Sequence, residues 1–240
     1  MEQPTRKGSF SSSGIFALCS KGRAKNSIGT PFYTYVEEKL FERLLNRPLN
    51  KEHSARPTSW GNLVEEYAFD KLGLEYSLVS KKRYAHKDFP EYWTGMPDLI
   101  TDDLVGDIKC PYTIKSFCKL VKSMKLGVDE LKKNHPDYYW QLVSNAILCD
   151  RDKAMLVVYV PYLEDLEEIR ELARDYVNDS NEYAFINWAL DEELPYILKD
   201  GYYSDINSIE FEVPQEDKDF LTSRVELAID ILKNELKQYL

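Results

Sequence analysis

Asp98, Asp107 and Lys109 have the types and spacing to do chemistry on a phosphate. They fall in the stretch from Gly95 to Tyr112, which reads as a short hairpin. One strand runs from Pro97 to Thr101, a polar turn follows at Asp102 and Asp103, and a second strand runs from Leu104 to Lys109. Pro111 ends the second strand because it has no N–H to give a sheet ladder. Side chains alternate along a strand, so Asp107 and Lys109 share one face and Ile108 points to the other. Asp98, at the start of the first strand, reaches the same spot. The apolar residues around Ile108 fit a buried core strand, and the rival reading is a solvated hairpin rich in charge.

Two carboxylates beside an ammonium suit a hard divalent cation and the phosphate it activates. Mg2+ takes oxygen ligands and keeps several waters, so one or two carboxylates plus substrate suffice. Asp98 and Asp107 would supply those oxygens, with the carbonyl of Ile108 as a further ligand, and Mn2+ would substitute. The cation lowers the pKa of a bound water and stabilises charge on the phosphate. Lys109 would orient the nucleophile and neutralise developing charge. Glu65, on a preceding helix, would hold a second metal directly or through water.

These side chains need a sheet and flanking helices to hold them. A short capped helix is expected at Ile15–Leu18 after a serine run, its N-terminus a phosphate seat with Arg6 and Lys7 upstream. A helix from Pro31 to Leu45 carries Tyr33, Val36, Leu40 and Leu44 on one stripe. After a polar link to Pro57, Thr58 or Ser59 caps a helix from Trp60 to Leu72, with Trp60, Val64, Tyr67, Ala68 and Leu72 apolar. Glu65 sits at the edge of that stripe and Glu66 nearly opposite it. A strand from Glu75 to Tyr84 and a segment from Asp88 to Trp93 lead as a meander into the hairpin. Beyond it come a helix from Ile114 to Lys122, a lysine-bearing loop to Lys133, and a strong helix from Pro136 to Leu148 that carries Gln141. Ala154–Val160 reads as an interior strand, Tyr162–Val177 as an acidic helix, Ser208–Val213 as a strand and Glu216–Tyr239 as a closing helix. Residues 181–205, aromatic and acidic, have no clear assignment. The order predicts an α/β domain with a mixed sheet and one core, spanning residues 1–240.

Composition narrows the class. An apolar share of 43% with 17 tyrosines and 10 phenylalanines supports a real core. No apolar run approaches the roughly 20 residues of a membrane span, and Met1–Lys7 has no signal-peptide core. Cys19, Cys110, Cys118 and Cys149 lack paired spacing, so reduced thiols and a cytoplasmic setting are expected rather than disulfides or zinc. The net charge of −10 argues against a nucleic-acid binder until its distribution is counted. Residues 1–60 hold ten Lys/Arg against five Asp/Glu, whereas residues 161–200 hold three against twelve. A basic face can still meet phosphates while acidic outer helices keep the protein soluble.

Glu65, then Pro97–Asp98, then Asp107–Ile–Lys109 resembles the PD-(D/E)xK nuclease superfamily, and more closely its lambda-type, YqaJ-like phage recombination exonucleases. Trp60–Gly61 with a Glu five residues after the Trp is similar to that family's helix motif. Asp107–Ile–Lys109–Cys110–Pro111–Tyr112–Thr113 and Tyr138–Tyr–Trp–Gln141 are similar to two further segments. The resemblance covers nearly the whole chain. It implies a restriction-endonuclease-like α/β core, a mixed central sheet flanked by helices, and a catalytic set of Glu65, Asp98, Asp107, Lys109 and Gln141. It also implies that Arg6 and Ser13, spaced as in the family's N-terminal segment, and Arg56, four before the Trp, bind a DNA 5′-phosphate. An ordinary N-cap competes for Ser13, and a solvated loop charge for Arg56.

Three departures stand out. Asp107 replaces the usual glutamate, Leu99 replaces a small residue, and the acidic helical insertion at about 162–205 lengthens a connection. The expected activity is a Mg2+-dependent exonuclease that hydrolyses linear double-stranded DNA from 5′-phosphorylated ends, in phage-type recombination in a bacterial cell. The resemblance implies a single-strand annealing protein as partner and a trimeric homo-oligomer. A structure-specific or restriction-type endonuclease of the same superfamily and a degenerate DNA-binding or assembly module are the rivals.

Overall fold

The structure is a computed structural model, and it describes residues 7–25, 27–49, 55–73, 77–78, 82–176 and 181–239. In chain order its first half runs β1 (Phe10–Ser11), α1 (Thr30–Leu45), α2 (Arg56–Leu72), β2 (Ser77–Leu78), β3 (Tyr84–Ala85), β4 (Trp93–Gly95), β5 (Leu99–Ile100) and β6 (Leu104–Lys109). The second half runs α3 (Ile114–Leu126), α4 (Val128–Asn134), α5 (Pro136–Cys149), β7 (Lys153–Tyr159), α6 (Leu166–Asp175), α7 (Ala184–Trp188), β8 (Ile206–Glu212) and α8 (Gln215–Leu236). The larger sheet has the order β2–β5–β6–β7–β8, and a smaller one has the order β1–β4–β3. Both are mixed and both are flanked by helices, so the α/β class expected from the sequence is observed, with two sheets in place of the one expected.

The hairpin expected at its centre is present. β5 and β6 pair antiparallel, with Leu99 opposite Gly106 and Ile100 opposite Val105. β6 then pairs parallel with β7, an arrangement that needs a long crossover, and α3, α4 and α5 supply it. Alternation divides the strands between two cores. Val105, Ala154, Leu156 and Val158 pack with α1, α5 and α8 on one face. Leu99, Leu104, Ile108, Met155, Val157 and Tyr159 pack with α2 and α6 on the other. Asp107 and Lys109 therefore lie on the α5 face, and Ile108 turns away from them. The oversized Leu99 is matched by Gly106, because a Cβ there would collide with the Leu99 side chain.

Several local readings are corrected. The helix expected from Trp60 starts at Arg56, with Pro57 in its first turn, where a missing N–H costs nothing. Neither Thr58 nor Ser59 caps it, and Arg56 is helical rather than part of a link. The buried face of α1 carries Phe32, Tyr35, Val36, Lys39, Leu40 and Glu42, whereas Tyr33 and Leu44 are exposed. Lys39 and Glu42 enter that face because they neutralise each other at 3.0 Å, and Glu42 also accepts the Gly8 N–H. The lysine-bearing loop is two helices, α3 and α4, separated at Gly127, whose φ of +109° suits glycine.

The expected meander is divided. β3 and β4 belong to the small sheet and β2 to the large one, while Asp88–Tyr92 is a turn closed by Tyr92 N–H to the Phe89 carbonyl. Residues 75, 76 and 79–81 of the expected strand lie outside the described residues. The N-terminal helix is a 3-10 helix over Ser12–Cys19 with no side-chain cap, so Ser13 lies within it rather than at its cap. The acidic stretch opens with a 3-10 turn at Leu163–Asp165 before α6, and residues 181–193 hold α7 between two short 3-10 turns.

Candidate active site

β6 presents Asp107 and Lys109 on one face, and the register of the hairpin brings Asp98 beside them. The Asp98 N–H bonds the Gly106 carbonyl at 3.1 Å, and Asp98 Oδ2 accepts the Ile108 N–H at 2.7 Å. Asp107 is 2% exposed, and its Oδ1 accepts from Gln141 Nε2 on α5 at 2.6 Å. Its Oδ2 lies 2.5 Å from Lys109 Nζ. Lys109 Nζ in turn lies 5.3 Å from the centre of the Tyr138 ring. The shorter Asp107 carboxylate thus still meets both Lys109 and Gln141.

Burial and crowded negative charge shape the electrostatics. Burial raises the Asp98 carboxyl well above its ordinary value, and the charges of Asp107 and Glu65 push it further up. Lys109 and the Ile108 N–H act against that rise without cancelling it. Burial works to lower the Lys109 ammonium, but Asp107 and Asp98 outweigh it and hold the side chain protonated. Cys110, next along the chain, is pushed up by burial and then by Glu65, so its thiol stays protonated and unreactive. Burial raises the Tyr138 phenol, and Lys109 eases it back.

The donor set can be tested against a divalent cation. Among the described residues no three His, Cys, Asp or Glu side chains gather tightly enough to hold a metal by themselves. Mg2+ does not require that, since two carboxylates, a carbonyl and waters complete its shell. Asp98 and Asp107 each have one oxygen committed to a protein N–H, through Oδ2 and Oδ1 respectively. Asp107 Oδ2 is buried and is paired with the Lys109 ammonium. A divalent cation would share that oxygen with the Lys109 ammonium.

Glu65 is half-buried on α2, close enough to act on Asp98 and Cys110. Glu66 instead accepts from the Tyr176 hydroxyl at 2.8 Å on the outer side. Arg56, nine residues before Glu65 and so about 13 Å away along the helix, is exposed, with its guanidinium 5.4 Å from the Phe185 ring. Ser13 is exposed, its Oγ 3.2 Å from that of Ser11. Its neighbour Ser12 bonds Ser144, one turn beyond Gln141 on α5, at 2.8 Å. Arg6 lies outside the described residues. Sequence reasoning misses Tyr138 as a site residue, although it precedes Gln141 by three and so shares its helix face.

No protein-family model matches the chain, and no curated protein matches it. Solved structures do. The alkaline exonuclease LHK-Exo from Laribacter hongkongensis superposes with a TM-score of 0.64 at 13% identity, over 98% of this chain and 92% of that one. Its complex with dAMP gives 0.65 at 14%, with the same coverage. A phage-related exonuclease from Haemophilus somnus 129PT gives 0.64 at 15%, over 97% of this chain and 96% of that one. At such identities the likeness is one of fold. The core is a nuclease fold, shared with these exonucleases along nearly its whole length.

Proposed function

We propose that the chain is a divalent-metal-dependent deoxyribonuclease, an exonuclease that degrades linear duplex DNA from 5′-phosphorylated ends. The observation that carries this reading is the group on β5, β6 and α5: the Asp98 and Asp107 carboxylates lie together, each with one oxygen held by a protein N–H, and Lys109 and Gln141 both contact Asp107. The exonuclease fold of the structural neighbours supports it.

Asp98, Asp107 and the Ile108 carbonyl would hold Mg2+, with Glu65 reaching it through water. The cation, when bound, polarises the scissile phosphate and makes its water a stronger nucleophile. Lys109 stays protonated beside the two aspartates, so it holds positive charge where the phosphate oxygens gain negative charge. Gln141 holds Asp107 in a single rotamer. Gly106 and Leu99 keep β5 and β6 in register, which fixes the spacing of the two aspartates. Arg56, exposed and without a carboxylate partner among the described residues, would take the 5′-phosphate with Arg6 and Ser13.

The test supplies linear duplex with 5′-phosphate or 5′-hydroxyl ends, and covalently closed circular DNA, to wild type and Lys109→Ala in Mg2+. The expected result is nucleotide release by wild type from 5′-phosphorylated linear DNA alone. Cutting of the circle by wild type would replace the exonuclease by an endonuclease. Equal activity of the two proteins, or none with Mg2+ or Mn2+, would remove the enzyme assignment.

A further inference from the structure

Helix α3 follows Lys109 closely, beginning at Ile114 with Thr113 Oγ1 capping the Ser116 N–H at 3.2 Å. Its buried side is Phe117, Leu120, Val121 and Met124. Its other side carries Lys115, Lys119, Lys122 and Lys125, and its thirteen residues include no Asp or Glu. At 3.6 residues per turn, Lys115, Lys119 and Lys122 fall within an arc of about 60°, with Lys125 at the edge.

Several lysines elsewhere are neutralised, Lys71 by Asp165, Lys132 by Asp217, Lys153 by Asp103 and Lys218 by Asp152. Isolated ones such as Lys21 and Lys87 have no carboxylate partner among the described residues but do not form a row. Among the described residues none of the four α3 lysines is paired with a carboxylate, in a chain of net charge −10. Acid is plentiful, yet this face is left uncompensated.

A second feature lies at the far end of the same face. Tyr202 is 78% exposed, and Lys125 Nζ sits 4.3 Å from its ring. Tyr203 meets Tyr202 edge-on at 5.1 Å and packs against Phe117 at 5.5 Å, so the exposed ring is backed by the α3 core. A cation over an exposed ring, at the end of a row of free cations, is the pairing that holds a nucleic-acid strand: charges for phosphates and a flat apolar face for a base.

We propose that α3 and Tyr202 form a track for one DNA strand leading from the active site. Lys115, Lys119 and Lys122 take successive phosphates, and Tyr202 with Lys125 receives a base. At 1.5 Å per residue, Lys115 to Lys125 spans about 15 Å, the axial rise of about four phosphates on one strand. The track rests on the nuclease reading, but its test is binding, which is read separately from cleavage.

The experiment measures the anisotropy of a labelled blunt duplex and of its single strand with the full chain in EDTA, over roughly 50–200 mM KCl. Replacing Lys115, Lys119 and Lys122 together by Gln should lower the salt slope by about 2.7 on duplex or about 2 on single strand, at about 0.9 and 0.7 per contact. The larger loss identifies the form the track holds. Lys133→Gln, on a lysine paired with Glu130 at 3.0 Å, should leave the slope unchanged. Tyr202→Ala should weaken single-strand binding about tenfold with little change of slope. An unchanged slope in the triple variant overturns the track and leaves the nuclease reading standing if wild type cleaves DNA. An unchanged slope with an altered oligomeric state makes this face a contact between copies, which also overturns the track. Failure of wild type both to bind and to cleave removes the track and the nuclease reading together.

Discussion

Two carboxylate–lysine groups flank helix α5 and are built to different ends. On one side Asp217 of α8 accepts from Lys132 Nζ at 2.8 and 2.7 Å and from the Tyr139 hydroxyl at 2.6 Å. Both of its oxygens are used and the charges balance, as in a pair that ties α4, α5 and α8 together. On the other side Asp98 and Asp107 face Lys109, which pairs with Asp107 Oδ2 at 2.5 Å, and Glu65 adds its negative charge at Asp98. One group is saturated. The other carries more negative charge than its own lysine neutralises, and that excess is what a divalent cation would balance.

Four measurements would break or sharpen that contrast. The largest effect is expected for Lys109→Ala, which should lower nucleotide release from linear duplex by about 10²–10³-fold, as for loss of a charge-stabilising group. Circular dichroism should find the variant folded. Gln141→Ala should cost about 10–100-fold in the same assay, because it loosens a ligand rather than removing one. If Gln141 only packed, activity per folded molecule would be unchanged.

Asp217→Ala should do the reverse. It leaves Lys132 and the Tyr139 hydroxyl without their acceptor and should destabilise by about 2 kcal/mol in urea titration, with cleavage by the folded fraction intact. The smallest effect separates the groups by pH. Asp98 has its folded pKa raised, so the folded state binds the proton more tightly than the unfolded chain does. Metal-free protein then loses stability as pH rises from the unfolded value near 4 up through the folded value, and regains it as pH falls. Asp98→Asn should melt above wild type in EDTA at neutral pH, with the gap narrowing in acid, and Mg2+ should stabilise wild type alone. A variant that melts below wild type at neutral pH would show that Asp98 is held by its neighbours rather than strained by them.

Much of the candidate site's geometry is legible in the sequence. The period of two places Asp107 and Lys109 on one face whatever the surroundings, and Pro111 marks the end of β6 by its missing donor. The helical positions of Glu65 and Gln141 follow from apolar stripes of period 3.6. The meander cannot be divided in the same way, because β1 and β4 pair across about eighty residues of chain and local propensity does not reach that far. The α1 stripe misleads because Lys39 and Glu42 are buried as a pair, and neither would be buried singly.

Sequence alone settles what is most local: which strand residues alternate, that Pro111 closes β6 and Gly73 closes α2, and which donor types a hard cation would need. Which partner takes each oxygen is settled only in the folded chain. Gln141 bonds Asp107, the Ile108 N–H bonds Asp98, and Tyr139, two residues before Gln141, turns to Asp217 instead. These choices depend on the crossover that lays α5 over β6 and β7. Burial then makes each unsatisfied oxygen costly, and that cost has no counterpart in an unfolded chain whose carboxylates all face water.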